Sequence, residues 1–217
     1  MSSLPDIIYT IGVWALPILF AITLHEAAHG WVANKLGDPT AKSLGRITIN
    51  PLKHIDPMGT IVVPLFLAMV SPFVMGWAKP VPVEPRYFKS PLLDMALVAI
   101  AGPVSNFVMA CCWAMFFQMV SMSTDPSQLQ TFLLKMANNG IIINIVLMVL
   151  NLLPIPPLDG GRVVTGILPP AWALSYMKLE RYGMLIILLL LFSGILGKIL
   201  WPIVQIFVKI VSMIFGL

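Results

Sequence analysis

Long apolar stretches separated by short polar connections are the feature of this sequence that most restricts its fold. They cover residues 7–36, 92–122, 140–153 and 182–217, and the last is long enough for two helices with a break within 194–202. A helix that crosses a bilayer needs about 20 predominantly apolar residues. Because 59% of the residues are hydrophobic and only 10% are charged, the chain lacks the polar surface of a water-soluble domain of this size. We therefore predict an all-α polytopic membrane protein.

Charge and chain organisation narrow the possible partners. The formal net charge is +4, but the basic residues form no stripe interleaved with aromatic residues, so we do not expect nucleic acid as a partner. We expect the lipid bilayer to surround the apolar helices of the chain. No linker rich in glycine and serine and no internal repeat divides the sequence, so we predict a single domain over residues 1–217. The sequence leaves the oligomeric state open.

The distribution of lysine and arginine bears on the topology of residues 57–76, a stretch of marginal length that contains Pro64 and Pro72. If this stretch enters and leaves the membrane on one side, ten of the thirteen basic residues lie on that side. These ten are Lys35, Lys42, Arg46, Lys53, Lys79, Arg86, Lys89, Arg162, Lys178 and Arg181. Cytoplasmic loops carry an excess of basic residues. We therefore predict a re-entrant or hairpin segment here, and a first helix that runs from outside to inside.

The sequence HEAAH at residues 25–29 places two histidines and a glutamate inside the first apolar stretch. Residues four apart share one face of a helix, so His25 and His29 can bind one metal ion, and zinc suits them best. Glu26 can then take a proton from zinc-bound water and deliver it to a leaving amine, which is peptidase chemistry. A coincidental cluster is disfavoured, because three ionisable groups in an apolar helix cost several kcal/mol unless they are paired or ligated.

A catalytic zinc site commonly has three protein ligands, so a third ligand must come from elsewhere in the chain. The candidates are Asp159, His54, Asp56 and, less plausibly, Asp94. Asp159 is best placed because it follows a proline-rich break, and irregular backbone at membrane depth survives only where it is buried or lines a watery cavity. With residues 57–76 re-entrant, Asp159 also reaches the same side as His25 and His29. The alternative is a surface turn in which Asp159 caps the following helix.

Three motifs together resemble the site-two protease family of intramembrane zinc metalloproteases. They are HEAAHG at residues 25–30, AGPVSN at 101–106 and NLLPIPPLDGGR at 151–162. The resemblance covers nearly the whole chain, and the three motifs in this order inside apolar helices form a highly specific combination. The chain is similar to a compact subgroup without the PDZ or other regulatory domains of larger members, which leaves open what selects its substrate.

The resemblance implies a ligand set, a fold and an activity. Zn²⁺ would be bound by His25, His29 and Asp159, and Glu26 would be the general base. The motif-bearing segments would form a three-helix catalytic core with flanking C-terminal helices. The enzyme would hydrolyse peptide bonds of membrane-spanning proteins within the bilayer or at its edge. We expect a multi-pass protein of a prokaryotic cell membrane whose active site lies toward the cytosol.

Four polar or small residues outside the predicted ligand set are assigned further roles. His54 can donate to the oxyanion of the tetrahedral intermediate or line the water path, although it fits an interfacial loop equally well. Asn151 can bond the substrate backbone or the oxyanion, against the alternative that it joins neighbouring helices. Gly102 and Asn106 are interpreted as a packing device that lets the second span approach the zinc helix closely.

The segment near residues 76–87 is predicted to be extended, because three prolines in it exclude a regular helix. A substrate helix must unwind before its peptide bond can be cut, and the unwound backbone then needs new hydrogen-bond partners. We predict that residues 78–84 form an edge strand that pairs with the substrate through the backbone of Lys79, Val81 and Val83.

Two rival classes fit parts of this pattern. A metal transporter would use the HExxH residues to carry ions, but this leaves Glu26 without a task, and no second HExxH-like segment provides the internal repeat that many transporters show. A catalytically silent scaffold is disfavoured by the intact set of His25, Glu26, His29 and Asp159. Zinc content measured together with cleavage of a membrane protein separates these classes.

Overall fold

The computed structural model describes residues 4–63, 66, 76, 78–123 and 127–217. Seven helices of eight or more residues lie in these parts of the chain, and shorter helical turns lie between the first two of them. The helices are α1 (Leu4–Lys35), α2 (Pro91–Ser121), α3 (Gln128–Asn151), α4 (Asp159–Ile167), α5 (Pro170–Met177), α6 (Glu180–Phe192) and α7 (Ile195–Phe215). The shorter turns are Thr40–Ser43, Pro51–Lys53, Pro57–Val62 and Pro85–Tyr87.

Four of these helices, α1, α2, α3 and α7, are long and apolar enough to cross a membrane. The predicted class, an all-α polytopic membrane protein, is therefore confirmed. The described residues contain no β-strand. In the segment predicted to be extended, residues 78–84 run without regular secondary structure and lead into the 3₁₀ turn Pro85–Tyr87.

Two predicted spans differ in extent from the observed helices. The third begins at Gln128, well before residue 140, because the Ser127 hydroxyl accepts a hydrogen bond from Gln130 N–H and caps the helix. In the last stretch only α7 reaches spanning length, since the 13 residues of α6 extend about 20 Å against a hydrocarbon core of about 30 Å. The predicted break is confirmed at Gly194, whose φ of 72° suits glycine.

Helices α1, α2 and α3 pack against one another and form the predicted three-helix core. Its apolar interior includes Val13 of α1, Trp113 of α2 and Ile145 of α3, while Val204 and Val211 of α7 close one side. Helix α4 packs on α2. The chain after α3 is thereby folded back against the core instead of extending away from it.

The helix directions bring distant parts of the sequence to one end of this core. At this end Ala33 of α1 packs with Phe88 and with Val98 of α2. At the opposite end Tyr9 of α1 and Phe132 of α3 form an edge-to-face pair with ring centroids 5.6 Å apart. Helices α1 and α3 therefore run in the same direction and α2 runs against them, so the end of α3 arrives beside the end of α1.

The predicted re-entrant segment, residues 57–76, lies largely outside the described residues, which include 57–63, 66 and 76 of it. Its described flanks lie side by side, since Lys79 N–H donates to the His54 carbonyl at 2.9 Å. This bond agrees with flanks on one side of the membrane. Re-entry of the segment itself stays a prediction.

Candidate active site and metal centre

Helix α1 presents His25 and His29 on one face, as the spacing of four residues predicts. Both side chains are buried, and their Nε2 atoms lie 3.0 Å apart. Burying two imidazoles side by side in an apolar helix requires partners for all four ring nitrogens. The Nδ1 atoms and the Nε2 atoms find these partners in different parts of the fold.

Helix α2 accepts a hydrogen bond from each Nδ1 atom. The His29 Nδ1 lies 2.8 Å from the carbonyl oxygen of Val98, and the His25 Nδ1 lies 2.6 Å from Oδ1 of Asn106. A carbonyl oxygen can only accept, so each Nδ1 carries the proton and each Nε2 presents a lone pair. Helix α2 thus fixes the tautomer that leaves both Nε2 atoms ready to bind a cation.

The AGPVSN motif provides the space for the two imidazoles through Gly102 and a hydrogen-bonded side chain behind His25 through Asn106. A Cβ atom on Gly102 would lie 2.5 Å from the His25 ring and 2.6 Å from the His29 ring, so the imidazoles occupy the volume that a side chain would fill. The Asn106 Nδ2 donates to the Ala21 carbonyl at 3.1 Å and to Oδ1 of Asn144 at 3.0 Å. These bonds orient its Oδ1 toward His25, which adds a role in the metal centre to the predicted packing.

Asp159 completes the cluster at the first residue of α4. Its Oδ2 lies 3.1 Å from Nε2 of His25 and 3.4 Å from Nε2 of His29. The N-cap of α4 is Leu158, and no side chain caps this helix, so the alternative in which Asp159 acts as a helix cap is not what the structure has. Asp56 caps the turn at Pro57–Val62 by accepting from Gly59 N–H at 2.8 Å.

The three converging atoms are suited to binding a cation. Both Nε2 atoms present lone pairs, and the buried Oδ2 of Asp159 has no hydrogen-bond donor in the described part of the chain. Three acceptors facing one another repel unless a positive charge lies between them. In a tetrahedral zinc site with metal–nitrogen distances of about 2.0–2.1 Å, neighbouring ligand atoms are about 3.4 Å apart. The observed separations of 3.0, 3.1 and 3.4 Å match that spacing closely.

Glu26 lies beside this cluster and is held by the segment that was predicted to bind substrate. Its Oε2 accepts a hydrogen bond from Val81 N–H at 2.8 Å. Val81 itself is buried and packs close to Gly30 of α1. This hydrogen bond fixes the Glu26 carboxylate through one of its two oxygens.

Side chains from outside the segment 78–84 form hydrogen bonds with its backbone on both sides of Val81. The buried Arg46 donates through Nη2 to the carbonyl of Lys79 at 2.8 Å and to that of Pro80 at 3.3 Å. Glu84 N–H donates to Oδ2 of the buried Asp38 at 2.7 Å. Two charged side chains thus clamp the segment that positions the carboxylate of Glu26.

These bonds change the role predicted for the backbone donors of Lys79 and Val81. The N–H of Lys79 is bound to His54, and that of Val81 is bound to Glu26. Neither donor is free to pair with a substrate strand. The N–H of Val83 has no partner in the described part of the structure, and its side chain packs beside Ala33 and Phe88.

A cavity of about 230 Å³ opens beside the cluster. Its polar lining comes from His25, Glu26 and Asn151. Asn151 closes α3, and its Nδ2 donates to the Leu147 carbonyl at 3.0 Å, which leaves its second N–H and its Oδ1 for another partner. The structure thus brings Asn151 together with Glu26 and the metal-binding cluster.

His54 has a different environment. Its ring is buried and its Nε2 lies 3.1 Å from the Thr48 carbonyl, while its own carbonyl accepts from Lys79. It does not line the cavity beside Glu26. These contacts fit the alternative of an interfacial loop residue, and a role for His54 in oxyanion binding stays a prediction.

Sequence reasoning missed Asn144 and Arg46. Asn144 is fully buried in α3 and donates to the Gly140 carbonyl at 2.8 Å while accepting from Asn106. An asparagine inside the apolar run IIINIV is itself a signal, because an unpaired carboxamide is costly at membrane depth. Arg46 gave no such signal, since its partners are backbone carbonyls more than thirty residues away.

The chain is similar to one protein-family model and to several bacterial proteins. Residues 117–194, which include Asn151 and Asp159, match the model described as Peptidase family M50. YwhC of Bacillus subtilis, which is named a zinc metalloprotease, is 41% identical over 191 residues, or 86% of this chain and 83% of that protein. Rip2 of Mycolicibacterium smegmatis is named likewise and is 30% identical, over 87% of this chain and 71% of the relative. Rip2 of Mycobacterium tuberculosis is 26% identical, with 86% and 70% covered. No solved structure matches the chain.

Proposed function

This chain belongs to peptidase family M50, and from that membership we propose that it hydrolyses peptide bonds of membrane-spanning proteins, within the bilayer or at its edge, with Glu26 as general base. It is a multi-pass membrane protein and a zinc metallopeptidase of the site-two type, and Zn²⁺ is its cofactor. The observation that carries the proposal is the convergence of His25, His29 and Asp159 next to a glutamate that faces a cavity.

Each residue of the cluster has a distinct task. His25, His29 and Asp159 would hold the metal through Nε2, Nε2 and a carboxylate oxygen. When bound there, zinc would supply a Lewis acid that polarises a carbonyl and lowers the pKa of water. Glu26 takes a proton from the attacking water at Oε1, since Oε2 is occupied by Val81 N–H, and returns it to the amine nitrogen that leaves. Asn151 offers its free N–H to the substrate carbonyl from across the cavity.

The depth of the site fits a substrate within or near the bilayer. His29 lies six residues before the end of α1, which at 1.5 Å per residue is about 9 Å along the helix. With the end of α1 near the membrane surface, as the basic residues after it favour, peptide bonds at that depth would belong to membrane-spanning or membrane-edge segments. We propose further that the chain acts as one domain in the cell membrane of a prokaryote, with this end of the core toward the cytosol.

We still propose that an unwound substrate pairs with residues 78–84, but through backbone groups other than the N–H groups of Lys79 and Val81. The donors of Lys79 and Val81 are engaged, whereas the carbonyl of Val81 and the N–H of Val83 have no partner in the described residues. An unwound substrate would therefore pair chiefly through its own N–H groups with carbonyl acceptors of this segment. Val81→Pro is not a clean test of this pairing, because it would also remove the donor that holds Glu26.

The decisive experiment compares cleavage and metal content in matched variants. Purified protein is reconstituted with single-span reporter proteins, and products are followed with and without a chelator. Glu26→Gln should retain about one zinc per chain and lose cleavage by about 10²- to 10⁴-fold, because only proton transfer is removed. Glu180→Gln, which changes an exposed carboxylate at the start of α6, is the control and should cleave as the parent does.

Two results would contradict the proposal. One is a Glu26→Gln variant that cleaves as fast as the parent. The other is a His25→Ala, His29→Ala double variant that still binds zinc stoichiometrically. Zinc flux across proteoliposomes without any cleavage would support the transporter instead.

A further inference from the structure

We propose that the cavity beside Glu26 receives one apolar side chain of the substrate, next to the bond that is cut, and that Ile187 of α6 sets the size of side chain it accepts. This inference rests on the proposed function and deepens it. It assigns a specificity role to a helix that none of the recognised sequence motifs reaches.

The size of the cavity suits a single side chain. Sites for drug-sized molecules measure about 300–1,000 Å³. The volume here, about 230 Å³, is smaller than that range. It has room for one large side chain and is small for a drug-sized molecule.

The lining of the cavity is polar at one end and apolar over the rest. His25, Glu26 and Asn151 form the polar end. The apolar wall is formed by Ile22, Leu147, Leu150, Leu158, Met184 and Ile187. A peptide bond placed at the polar end would direct a neighbouring side chain toward the apolar wall. Burying an unpaired polar side chain there is unfavourable, because it loses its hydrogen bonds to water, so the wall selects apolar residues.

Helix α6 is fixed against the loop that precedes Asp159, which gives Ile187 a defined position. A Cβ atom on Gly183 would collide with the Pro156 carbonyl oxygen, so the helix backbone lies directly on that loop. Met184 and Ile187 are one and four residues beyond Gly183 and lie on the same side of the helix. Ile187 is 4% exposed and deep in the wall, whereas Met184 is 44% exposed and lies at the rim.

The test measures substrate preference and not activity alone. Single-span reporters that differ only at the residues flanking the mapped cleavage site, with Ala, Leu, Phe or Asp there, are cleaved in proteoliposomes. Wild-type protein should favour apolar residues over Asp at one of the two flanking positions. Ile187→Ala, which enlarges the cavity, should raise the Phe-to-Ala preference by about tenfold, the effect typical of a small change in an apolar pocket.

Ile187→Phe narrows the cavity and should shift the preference in the opposite direction, toward Ala. A loss of stability alone would lower cleavage of all reporters together, so opposite shifts in the two variants cannot come from misfolding. Leu185→Ala is the matched control, because Leu185 is 56% exposed on the same helix and does not line the cavity. It should keep the parental preference.

The possible outcomes separate this inference from the proposed function. If wild-type protein cleaves reporters in a zinc-dependent way but both Ile187 variants keep its preference, the cavity is not the side-chain pocket and the proposed function stands. If wild-type protein cleaves no membrane protein, the proposed function fails and this inference fails with it.

Discussion

Asn106 is the residue through which the middle of α2 contacts His25, one of the proposed metal ligands. Its Oδ1 accepts from His25, while its amide group is fixed by the Ala21 carbonyl and by Asn144. A carboxamide held at both ends has one orientation available, and this orientation determines which ring nitrogen of His25 carries the proton. The bond from His29 Nδ1 to the backbone carbonyl of Val98 likewise determines which ring nitrogen of His29 carries the proton.

Replacing Asn106 with Leu should weaken zinc binding by about 10- to 100-fold, the usual effect of losing a hydrogen-bond partner behind a metal-binding histidine. Competition with a chromophoric chelator would measure the affinity. Asn139→Leu is the control: Asn139 is also buried, but its Nδ2 donates to Val13 far from the ligands. Equal zinc affinities for the Asn106 variant and the parent would rule out this role.

Asp38 contributes stability that depends on pH. Although burial opposes its ionisation, the hydrogen bonds from the Thr40 hydroxyl, Glu84 N–H and Thr40 N–H hold the pKa of Asp38 below its ordinary value. A group whose folded-state pKa is depressed stabilises the fold above its unfolded pKa, near 3.9, and this contribution is lost as the pH falls toward the folded value.

Asp38→Asn should therefore melt below the parent at pH 6, because the amide places donors against the donors that Asp38 now accepts. The difference in melting temperature should shrink as the pH falls below about 4, because Asp38 of the unfolded parent is then protonated while the folded carboxylate is protonated only at lower pH. Thermal scans in detergent from pH 6 to 3 would measure it. Using the difference between the two proteins cancels the protonation of the metal ligands, which both share. A difference that stays constant over this range would contradict the assignment.

At the level of elements, the segment 78–84 connects the carboxylate of Glu26, the proposed general base, with the loops that follow α1. It is clamped by Arg46 on one side and by Asp38 on the other, and Val81 between them holds Glu26. The position of the Glu26 carboxylate is thus determined by a backbone N–H outside its own helix. His25, Glu26 and His29 lie on one helix, but the group that binds the Glu26 carboxylate lies in segment 78–84. Movement of this segment would therefore shift the carboxylate relative to the two imidazoles.

Arg46→Gln should lower kcat by about 10- to 100-fold, the effect expected when a catalytic group moves by about 1 Å, while zinc content stays at one per chain. Arg46→Lys should recover part of kcat, because an ammonium group can still donate to the Lys79 carbonyl. Arg181→Gln is the control, because Arg181 is exposed on α6 and its side chain lies over the neighbouring Tyr182 ring. Loss of zinc from the Arg46 variant would show instead that the whole site had collapsed.

At the level of the whole molecule, the core brings the ends of α1 and α3 to one side and the α2–α3 connection to the other. Lys79 N–H donates to the His54 carbonyl, so the residues on either side of the predicted re-entrant segment are neighbours. Ser127 lies at the opposite end of the core, directly before α3. These positions define two faces that can be distinguished from outside a sealed vesicle.

Cysteines introduced at Lys53 and Lys79, in a background without Cys111 and Cys112, should react with an impermeant thiol reagent from the same side of the membrane. Positive charge in these loops makes the cytosol the expected side. A cysteine at Ser127 should react from the opposite side and serves as the control. Labelling of Lys53 and Lys79 positions from opposite sides would overturn the topology.

The convergence of His25, His29 and Asp159 could be predicted from the sequence, because these side chains stand at a helical spacing and after a proline-rich break. His25 and His29 follow from helical geometry, and Asp159 follows from the cost of irregular backbone in a membrane. The bond between Val81 and Glu26 could not be predicted, since every residue except proline has the same N–H group. The place of Ile187 in the cavity wall was equally hidden, because it depends on how α6 lies against the loop at Pro156.

The hydrogen bond between Val81 and Glu26 has a kinetic consequence. A substrate that pairs with residues 78–84, as proposed, would act on the same backbone that holds Glu26, so docking would be coupled mechanically to the proton transfer proposed for Glu26. A chain that docks out of register would displace Val81 and leave Glu26 misplaced, and it would be held without being cut. Discrimination between substrates should then be expressed in kcat more than in KM, as in enzymes that select by induced fit. Membrane proteins that bind without being cleaved would act as competitive inhibitors of this enzyme.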